Sequence, residues 1–479
     1  MHSSVASREQ LMPKIPDRPR TALHELSTQA GLGTALLDGV SLTGDDPILP
    51  LAYRVAAPGA AAIAACAAMA ARLLKFRTGV SQEIHVDVRA AMAALRSSRY
   101  LCIDGLHRKD GTHPVTGFYQ LKDKRWIYLH SNFFNIRARN LSVLRCDPSP
   151  DSIARAVSLW NGEALEDAIN AAGGCACMVR SEAEWSAHPQ KPAAASTPLV
   201  EIVKIGEAPA EPLPAGGRPL SGVRVLDLTR VLAGPTCGKT LAEHGADVLR
   251  VNREDLASSG GSDFDTGLGK LATFLDFRDR GQAYKLRQLI AQGDIFSQAY
   301  RPGALQSHGL APQDLAEIRP GIVYVSLNAW STAGPWRDRR GYDTIVQSAN
   351  GMAWRGQDAK PAFLPVSAQD YISGYLMAFG AMVALERRST VGGSWLVRVS
   401  LARTGQWIRD QGLMEPGEWR DVPAEFPPSE LSTFLMESDS PVGRLRHLAP
   451  VAQMSLTQGH WCRPAVPLGS HPAQWPPRQ

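Results

Sequence analysis

The stretch AGPTCGKT at residues 233–240 has the residue types of a phosphate-binding loop. In such a loop, glycines let backbone N–H groups surround the phosphates, the lysine contacts the terminal phosphates, and the hydroxyl binds Mg²⁺. Here Ala233 replaces the first glycine, and Pro235 removes one of the N–H groups. The buried-strand pattern GVRVLDLT ends near Leu228, several residues before the loop, and GIVYVSLNAW supplies no aspartate for Mg²⁺. These departures argue against nucleotide hydrolysis.

A dinucleotide-binding site is also unsupported. The fingerprint G-x-G-x-x-G is absent, and Asn252 stands where the ribose-binding acid of such a site is often found. The strand, turn and helix still favour an anionic ligand, because the start of a helix presents free N–H groups.

Asp370, in the stretch AQDYISG, is the candidate nucleophile. It lies at the start of a predicted helix, whose first N–H groups favour negative charge and can stabilise a developing oxyanion. A carboxylate is a recognised covalent nucleophile. The alternative is that Asp370 only caps the helix, and the residues alone leave both interpretations open.

The composition favours a globular protein that binds small anions. The chain has 479 residues, 44% of them hydrophobic and 20% charged, and its net charge is +5. Because no dense Lys/Arg run with interleaved aromatics occurs, we expect no nucleic-acid partner. Seven scattered cysteines, an odd number, predict a reduced, cytoplasmic compartment. Cys175 and Cys177 lack a second pair of ligands, so we expect no metal.

The most apolar run, residues 56–74, is mostly alanine and contains Pro58 and Arg72. A membrane span needs about 20 strongly apolar residues, so we predict a buried helix and no membrane association. Residues 1–20 are polar and proline-rich, without the apolar core of a secretory signal.

Strand and helix patterns alternate after a Pro/Gly-rich stretch at residues 206–221. A strand, a helix and a second strand within residues 222–251 predict a βαβ unit, and the alternation continues to about residue 345. This pattern predicts an α/β fold in which a doubly wound, Rossmann-like domain accompanies a smaller α+β domain. We divide the chain into a flexible lead-in (1–45), a partial repeat with the small α+β domain (46–205), a linker (206–221), the Rossmann-like domain (222–405) and an extended C-terminal tail (406–479).

The sequence contains an internal repeat, with one copy before and one copy after the alternating strands and helices. Residues 60–91 resemble residues 375–404, since each stretch is a long helix of small residues, a Gly-containing turn and an alternating strand. The alternative is a chance likeness of two alanine-rich helices. The first copy has Val55-Ala56-Ala57-Pro58 where the second has Asp370, so we expect the first copy to be non-catalytic.

The stretch RPLSGVRVLDLTRVLAGPTCGKTLAEHGADVLRVNR resembles the opening of the class III (CaiB/BaiF-type) CoA transferases, a family that includes formyl-CoA transferase and alpha-methylacyl-CoA racemase. The resemblance continues in order through GLGKLATFLDFR, GDIFSQAYRPGALQSHGL, RPGIVYVSLNAWSTAGPW, GYDTIVQSANGMA and PVSAQDYISGYLMAFGAMVALERR, and covers about residues 217–405. Residues 50–205 resemble another part of the same fold. The modules therefore indicate a fused or rearranged class III CoA transferase fold.

The resemblance implies a CoA transferase in which Asp370 attacks an acyl-CoA thioester, forms a mixed anhydride and then carries CoA as an aspartyl thioester. CoA and acyl-CoA are then substrates, an acyl-CoA and a carboxylic acid are the partners, and no permanently bound cofactor is implied. CoA carries phosphates, so its site needs cations and backbone donors. By position in the family's motifs, the CoA-binding residues are Arg230, Val231, Leu232, Arg253, Lys270, Tyr300, Arg301, Tyr342 and Asp343.

The chain departs from the family pattern at several of these places. Ala299 replaces the usual Asn, Asn252 the usual Glu, and Leu271 a second base. These losses motivate one alternative, a catalytically degenerate paralogue that only binds.

A racemase, isomerase or lyase acting on an acyl-CoA is the other alternative. Tyr342 lies where related racemases carry a histidine base, and a phenol of ordinary pKa, about 10, is a poor base at neutral pH. The resemblance also implies interlocked dimers, so we expect either a homodimer or a pseudo-dimer within one chain.

Overall fold

A computed structural model of the chain describes residues 17–108, 111–256 and 258–478. The helices of this part are α1 (Arg18–Gln29), α2 (Ala56–Thr78), α3 (Val88–Ala94), α4 (Phe134–Leu144), α5 (Pro150–Val157), α6 (Gly162–Ala171), α7 (Glu182–Ala187), α8 (Gln190–Ala195), α9 (Ala233–Glu243), α10 (Gly261–Asp265), α11 (Arg280–Ala291), α12 (Pro312–Ile318), α13 (Asp343–Ala349), α14 (Ala368–Val391), α15 (Leu401–Asp410), α16 (Pro416–Trp419) and α17 (Pro428–Phe434). Short 3-10 helices cover Gly33–Leu37, Ser97–Tyr100 and Gln306–His308.

The strands form four sheets. They are β1 (Val40–Thr43), β2 (Ile84–Asp87), β3 (Cys102–Ile103), β4 (Leu106–His107), β5 (Gly117–Gln120), β6 (Trp126–Leu129), β7 (Ala176–Met178), β8 (Glu201–Gly206), β9 (Arg224–Asp227), β10 (Asp247–Asn252), β11 (Lys270–Phe274), β12 (Ile295–Gln298), β13 (Val323–Asn328), β14 (Ser394–Ser400), β15 (Leu435–Ser440), β16 (Gly443–Leu448) and β17 (Gln453–Met454). The strand orders are β11-β10-β9-β12-β13-β14-β8, β1-β2-β17, β15-β16-β3-β4 and β5-β6-β7.

The seven-stranded sheet is the centre of the fold. Its strands from β9 to β14 pair in parallel, and only the edge strand β8 is antiparallel. Helices lie between consecutive strands, as the alternating pattern predicted, so the mixed α/β class is confirmed. Parallel pairing needs such crossover helices because the chain must return to the same end of the sheet.

Both faces of this sheet are buried. Val225 of β9 belongs to a core shared with α9 and α14, whereas its neighbour Leu226 belongs to a second core that includes Leu286 of α11 and Leu315 of α12. Successive strand residues point to opposite faces, so helices cover each side. The two central residues of β9, Val225 and Leu226, are therefore both apolar although they point to opposite faces.

The predicted repeat of helix and strand is present in the structure. Helix α2 is followed by β2 and α3, and α14 is followed by β14 and α15. The helices α2 and α14 pack against each other inside the largest core. By length and composition alone α2 could cross a membrane, but 89% of its most apolar window is buried within the protein. The prediction of a buried helix is therefore confirmed.

Two predictions about the ends of the chain are wrong. The lead-in was expected to be flexible, yet residues 18–29 form α1, whose Ala22, Leu23 and Leu26 are fully buried, and β1 pairs with β2. Residues 1–16 lie outside the described part. The tail was expected to be extended, yet residues 435–448 form an antiparallel hairpin that pairs with β3. In both cases contacts with distant residues supply the burial that local patterns do not show.

The close contact between α14 and α9 gives a first prediction. A Cβ added at Gly374 would lie 2.4 Å from the Ala233 carbonyl oxygen and 2.7 Å from Thr236 Cβ. We expect Gly374→Ala to lower the free energy of unfolding by about 1–3 kcal/mol, because overpacking forces the two helices apart. Thermal unfolding of the purified variant measures this.

Gly417→Ala is the matched control, because Gly417 also lies in a helix and has no atom near its missing Cβ. Its melting temperature should stay unchanged or rise. A Gly374→Ala protein as stable as the wild type would contradict the described packing.

Candidate functional site

A cavity of about 370 Å³ opens at the carboxyl ends of the central strands. In open α/β sheets ligands bind at this edge, where the strand order reverses. Here the order reverses between β9 and β12. Residues that follow β9, β10, β12, β13 and β14 line the cavity, together with the first turn of α14; they include Leu228, Arg253, Ala299, Asn328, Leu401 and Asp370.

Eight of the ten residues predicted from sequence line this one cavity. They are Arg230, Val231, Leu232, Arg253, Tyr300, Arg301, Tyr342 and Asp370. Lys270 and Asp343 do not line it. The prediction of a shared site was possible because the carboxyl ends of parallel strands meet at one edge of a sheet.

Lys270 is a correction to the predicted set. Its Nζ lies 2.8 Å from Asp227 Oδ2 and 2.8 Å from the Pro235 carbonyl oxygen, and the side chain is almost fully buried. A buried cation of this kind needs a paired charge and further hydrogen bonds, which these two groups supply. Lys270 therefore holds the start of α9 against the sheet and cannot reach a ligand in the cavity.

The loop after β9 has a strained backbone at Val231, whose φ is +73°. Such a value costs a β-branched residue free energy and persists only where neighbouring contacts impose it. Asp227 imposes it in part, because its Oδ1 accepts hydrogen bonds from the N–H and the hydroxyl of Thr229. The ion pair between Asp227 and Lys270 fixes the other carboxylate oxygen. Lys270 thus positions the loop after β9 indirectly, through Asp227.

The start of α14 bears on the interpretation that Asp370 only caps the helix. The backbone N–H of Asp370 donates to Asp343 Oδ2 at 3.0 Å, and the N–H of Gln369 also bonds this carboxylate. Asp343 is further held by the Gln347 side-chain amide. Asp343, brought from 27 residues upstream, therefore caps the helix. The Asp370 carboxylate receives no hydrogen bond from the described residues and faces the cavity.

The two carboxyl groups share a low-dielectric environment. Burial raises the pKa of Asp343 to about 6, and the hydrogen bonds that it accepts oppose this rise. Burial first, and then the nearby Asp343, raise the pKa of Asp370 well above its usual range. Two adjacent buried acids resist double ionisation. The geometry therefore keeps the Asp343 carboxyl bound as a cap and leaves the Asp370 carboxyl poorly solvated and without a hydrogen bond from the described residues.

Tyr342 lines the cavity, and the His130 ring packs against its ring. The two rings stack with their centroids 3.9 Å apart. Burial lowers the pKa of His130 to about 3, and neither of its ring nitrogens has a hydrogen-bond partner among the described residues. Burial raises the pKa of Tyr342 further above its ordinary value. Tyr342 thus stays protonated at neutral pH and cannot act as a base.

The partial repeat contributes a side of the cavity that the sequence did not predict. Phe133, Asn135 and Ile136, at the start of α4, line it. The Phe133 ring lies 5.3 Å from the guanidinium carbon of Arg230. No local pattern marked these residues, because they are about 100 positions away from the strands that they approach. Arg340 was also missed, although it lies only two residues before Tyr342.

The cavity carries an excess of positive charge. Arg230, Arg253, Arg301 and Arg340 line it, and Asp370 is the only acid among the described residues that line it. Arg253 is paired with Asp255 through two hydrogen bonds of 2.5 and 3.0 Å. Clefts lined by one sign of charge attract ligands of the opposite sign. The site is therefore built for an anionic ligand.

The phosphate-loop interpretation fails in the structure as it did in the sequence. Lys239 Nζ pairs with Asp265 at 3.0 Å and lies over the Trp461 ring, and the Thr240 hydroxyl donates to the Thr236 carbonyl oxygen. Neither side chain lines the cavity. The stretch 233–240 forms the body of α9, as expected for helix residues.

The chain is similar in sequence to known CoA transferases. The family model for CoA-transferase family III matches residues 220–437. The chain is 28% identical over 339 residues to "Acetyl-coenzyme A transferase nodX" of Hypoxylon pulicicidum, which covers 64% of this chain and 56% of that protein. It is 33% identical over 195 residues to "Succinyl-CoA:glutarate CoA-transferase" of Mus musculus, covering 37% and 44%. A solved structure of a CAIB/BAIF family protein from Brucella suis is 27% identical, with a TM-score of 0.36, covering 40% and 55%.

One longer match extends over most of the chain. An "Acyl-CoA transferase" of Gibberella moniliformis is 28% identical over 418 residues, which covers 77% of this chain and 73% of that protein. The chain thus spans between about half and three quarters of the length of these curated relatives.

The raised pKa of Asp370 predicts a pH-dependent gain in stability when the charge is removed. The folded state binds this proton more tightly than the unfolded state does, so the free energy of unfolding falls as pH rises through the folded pKa. The amide of Asp370→Asn does not ionise, so its free energy of unfolding does not fall with pH for this reason. We expect its free energy of unfolding to exceed that of the wild type by about 1 kcal/mol near pH 8 and to show no gain near pH 4.

Thermal unfolding of both proteins at the two pH values measures this. Asp358→Asn, on an exposed acid, is the control and should change nothing at either pH. A lower melting temperature for Asp370→Asn than for the wild type near pH 8 would show that the Asp370 carboxylate stabilises the fold instead.

Proposed function

We propose that this chain is a member of CoA-transferase family III, whose family model matches residues 220–437, and that it moves coenzyme A from an acyl-CoA to a carboxylic acid. The observation that carries the proposal is the Asp370 carboxylate. It faces a cavity lined by arginines, while Asp343 already caps the helix that presents it. Relatives whose names describe transfer of CoA between an acyl-CoA and an acid support the same reaction class.

The proposed reaction proceeds through covalent aspartyl intermediates. The Asp370 carboxylate attacks the thioester carbonyl, a C–O bond forms, the C–S bond breaks, and CoA leaves as a thiolate. The thiolate attacks the Asp370 carbonyl of the mixed anhydride, which releases the donor acid and leaves an aspartyl thioester. The acceptor carboxylate then repeats these steps in reverse order and leaves with CoA. Atoms and charge balance without an external oxidant or reductant.

The arginines have distinct roles in this proposal. Arg230, Arg253 and Arg301 stand after β9, β10 and β12, and we assign them to the phosphates of CoA, which is a substrate and not a resident cofactor. Val231 and Leu232 of the strained loop line the same cavity, and we assign their N–H groups to a developing oxyanion. Tyr300 and Tyr342 complete the apolar wall for the pantetheine arm.

We propose that the sheet is a doubly wound, Rossmann-like one. Numbered along the chain from β9 to β14, its parallel strands follow the order 3-2-1-4-5-6. Helix-bearing cores on both faces support this arrangement. The reversal between β9 and β12 then accounts for the position of the cavity.

We also propose that the active unit is a pseudo-dimer within one chain and not an interlocked homodimer. Phe133 and Asn135 of the partial repeat approach the cavity of the α/β domain in the same chain. The corresponding helix start in the repeat, at Ala56 and Ala57, is capped by Asp46 and carries no nucleophile. One chain then contains one complete site.

The cysteines support a reduced, cytoplasmic location. All seven are free, and five of them are buried. Recovery of the native protein from a secreted fraction would contradict this assignment.

A racemase, isomerase or lyase acting on an acyl-CoA is the second candidate, because the family also includes racemases. The protonated Tyr342 argues against it, since no second base faces Asp370 across the cavity among the described residues. Deuterium uptake from solvent at the α-carbon of an acyl-CoA, without exchange of CoA between acids, would favour it. A purely binding paralogue is the third candidate, and failure of every acyl-CoA to react would favour that.

The covalent intermediate gives a direct prediction. Incubation with an acyl-CoA and hydroxylamine should convert Asp370 to a hydroxamate, because hydroxylamine attacks activated aspartyl carbonyls. Asp370→Ala should lose transferase activity by at least about three orders of magnitude, as expected when a covalent nucleophile is removed. Peptide mass spectrometry locates the modification.

Asp358→Ala is the control, because that carboxyl is exposed and lies outside the cavity. It should keep full activity. An Asp370→Ala protein with wild-type transferase activity would overturn the assignment of the nucleophile.

The proposal of a pseudo-dimer within one chain predicts that the monomer carries the transferase activity. Light scattering coupled to gel filtration should give a mass near 51.8 kDa for the fraction that carries transferase activity. Each mole of chain should trap one mole of hydroxamate. Activity confined to a fraction of twice that mass would favour the interlocked homodimer.

A further inference from the structure

One arginine of the cavity wall is already bound by an acid of its own loop. Arg253 follows β10, lines the cavity, and donates from Nε and Nη2 to the two carboxylate oxygens of Asp255 at 2.5 and 3.0 Å. Asp255 does not line the cavity. Together with Glu254 it lines an open groove of about 530 Å³. The groove adjoins the cavity, because Leu256 lines both.

Asp255 also belongs to a chain of four alternating charges. Arg278 Nη2 lies 3.4 Å from Asp255 Oδ2, and Arg278 Nε donates to both oxygens of Asp276 at 2.8 and 3.0 Å. The hydrogen bond from Arg253 acts most strongly on Asp255 and lowers its pKa, so this carboxylate is charged at neutral pH. A second cation, Arg278, therefore helps to hold the charged Asp255 beside Arg253.

The pairing matters because a guanidinium binds a carboxylate and a phosphate in the same way. Both groups accept two parallel N–H bonds from its planar fork. Asp255 occupies the edge of Arg253 formed by Nε and Nη2, and it neutralises the charge of that guanidinium. Its own negative charge also repels an anion that approaches Arg253. The pair therefore attracts a phosphate less strongly than an unpaired arginine would.

We propose that Asp255 is an internal competitor for the CoA phosphate that Arg253 binds, and that it holds the affinity for CoA esters below what the arginines of the cavity alone would give. The inference rests on the proposed function, which assigns Arg253 to a CoA phosphate. Binding then exchanges the carboxylate of Asp255 for a phosphate at Arg253 and leaves Asp255 paired with Arg278. A limited affinity suits a transferase, because binding energy that is equal in substrate and transition state does not raise kcat.

Removal of the Asp255 charge should therefore tighten the binding of CoA. The side chains of Arg253 and Asp255 are 23% and 53% exposed, so water screens their attraction. We expect the dissociation constant for free CoA to fall by about twofold to fivefold in Asp255→Asn, the range that a surface ion pair contributes. Titration calorimetry of the wild type and the variant with free CoA measures this.

Glu254→Gln is the matched control. It removes the same charge one residue away and in the same groove, and among the described residues Glu254 forms no ion pair with Arg253. Its dissociation constant for CoA should equal that of the wild type. In an Arg253→Gln background, Asp255→Asn should bring no gain, because the cation that it releases is absent. Pantetheine, which lacks the phosphates, should bind the wild type and Asp255→Asn equally.

Three outcomes overturn the proposal while the proposed function stands. The first is an unchanged or larger dissociation constant for Asp255→Asn, because Asp255 then only orients Arg253. The second is an equal gain in Asp255→Asn and Glu254→Gln, because the effect is then a general loss of negative charge. The third is a gain that persists without Arg253. A wild type that binds no CoA at all is distinguishable from these outcomes, because it also removes the proposed function.

Discussion

The carboxylate of Asp343 at the start of α14 is the interaction on which the site depends. A helix presents unsatisfied N–H groups at its start, and an acid there usually binds them. Because Asp343 takes this role from another segment, the Asp370 carboxylate is left without hydrogen bonds inside a buried cavity. The raised pKa of Asp370 is the consequence, and the proposed role as nucleophile rests on this unfavourable environment.

The rest of the fold holds this arrangement in place. Gly374 lets α14 approach α9, and the buried pair of Lys270 and Asp227 fixes the loop at Val231. The partial repeat closes the open side of the cavity with residues from α4. It also repeats the cap, since Asp46 binds the first N–H groups of α2. The repeat therefore keeps the architecture of a site without its nucleophile.

Much of this could be predicted from the sequence. The alternation of strands and helices predicted the α/β fold, and the resemblance predicted that Arg230, Arg253, Tyr300 and Asp370 share a site. Lys270 was assigned wrongly because a lysine in a motif does not reveal a buried aspartate such as Asp227 beside it. The positions of Phe133 and Asn135 beside the cavity could not be predicted, since they depend on how distant segments pack.

The central claim is that Asp370 takes part in covalent transfer. Turnover with an acceptor acid labelled with heavy oxygen in its carboxylate tests it most directly. In the proposed sequence one acceptor oxygen stays on the aspartate when CoA thiolate attacks the acceptor's acyl carbon. Peptide mass spectrometry should then find heavy oxygen in the peptide that contains Asp370. Turnover that leaves this peptide unlabelled, with the labelled oxygen that the acceptor loses found only in the released donor acid, would contradict the claim.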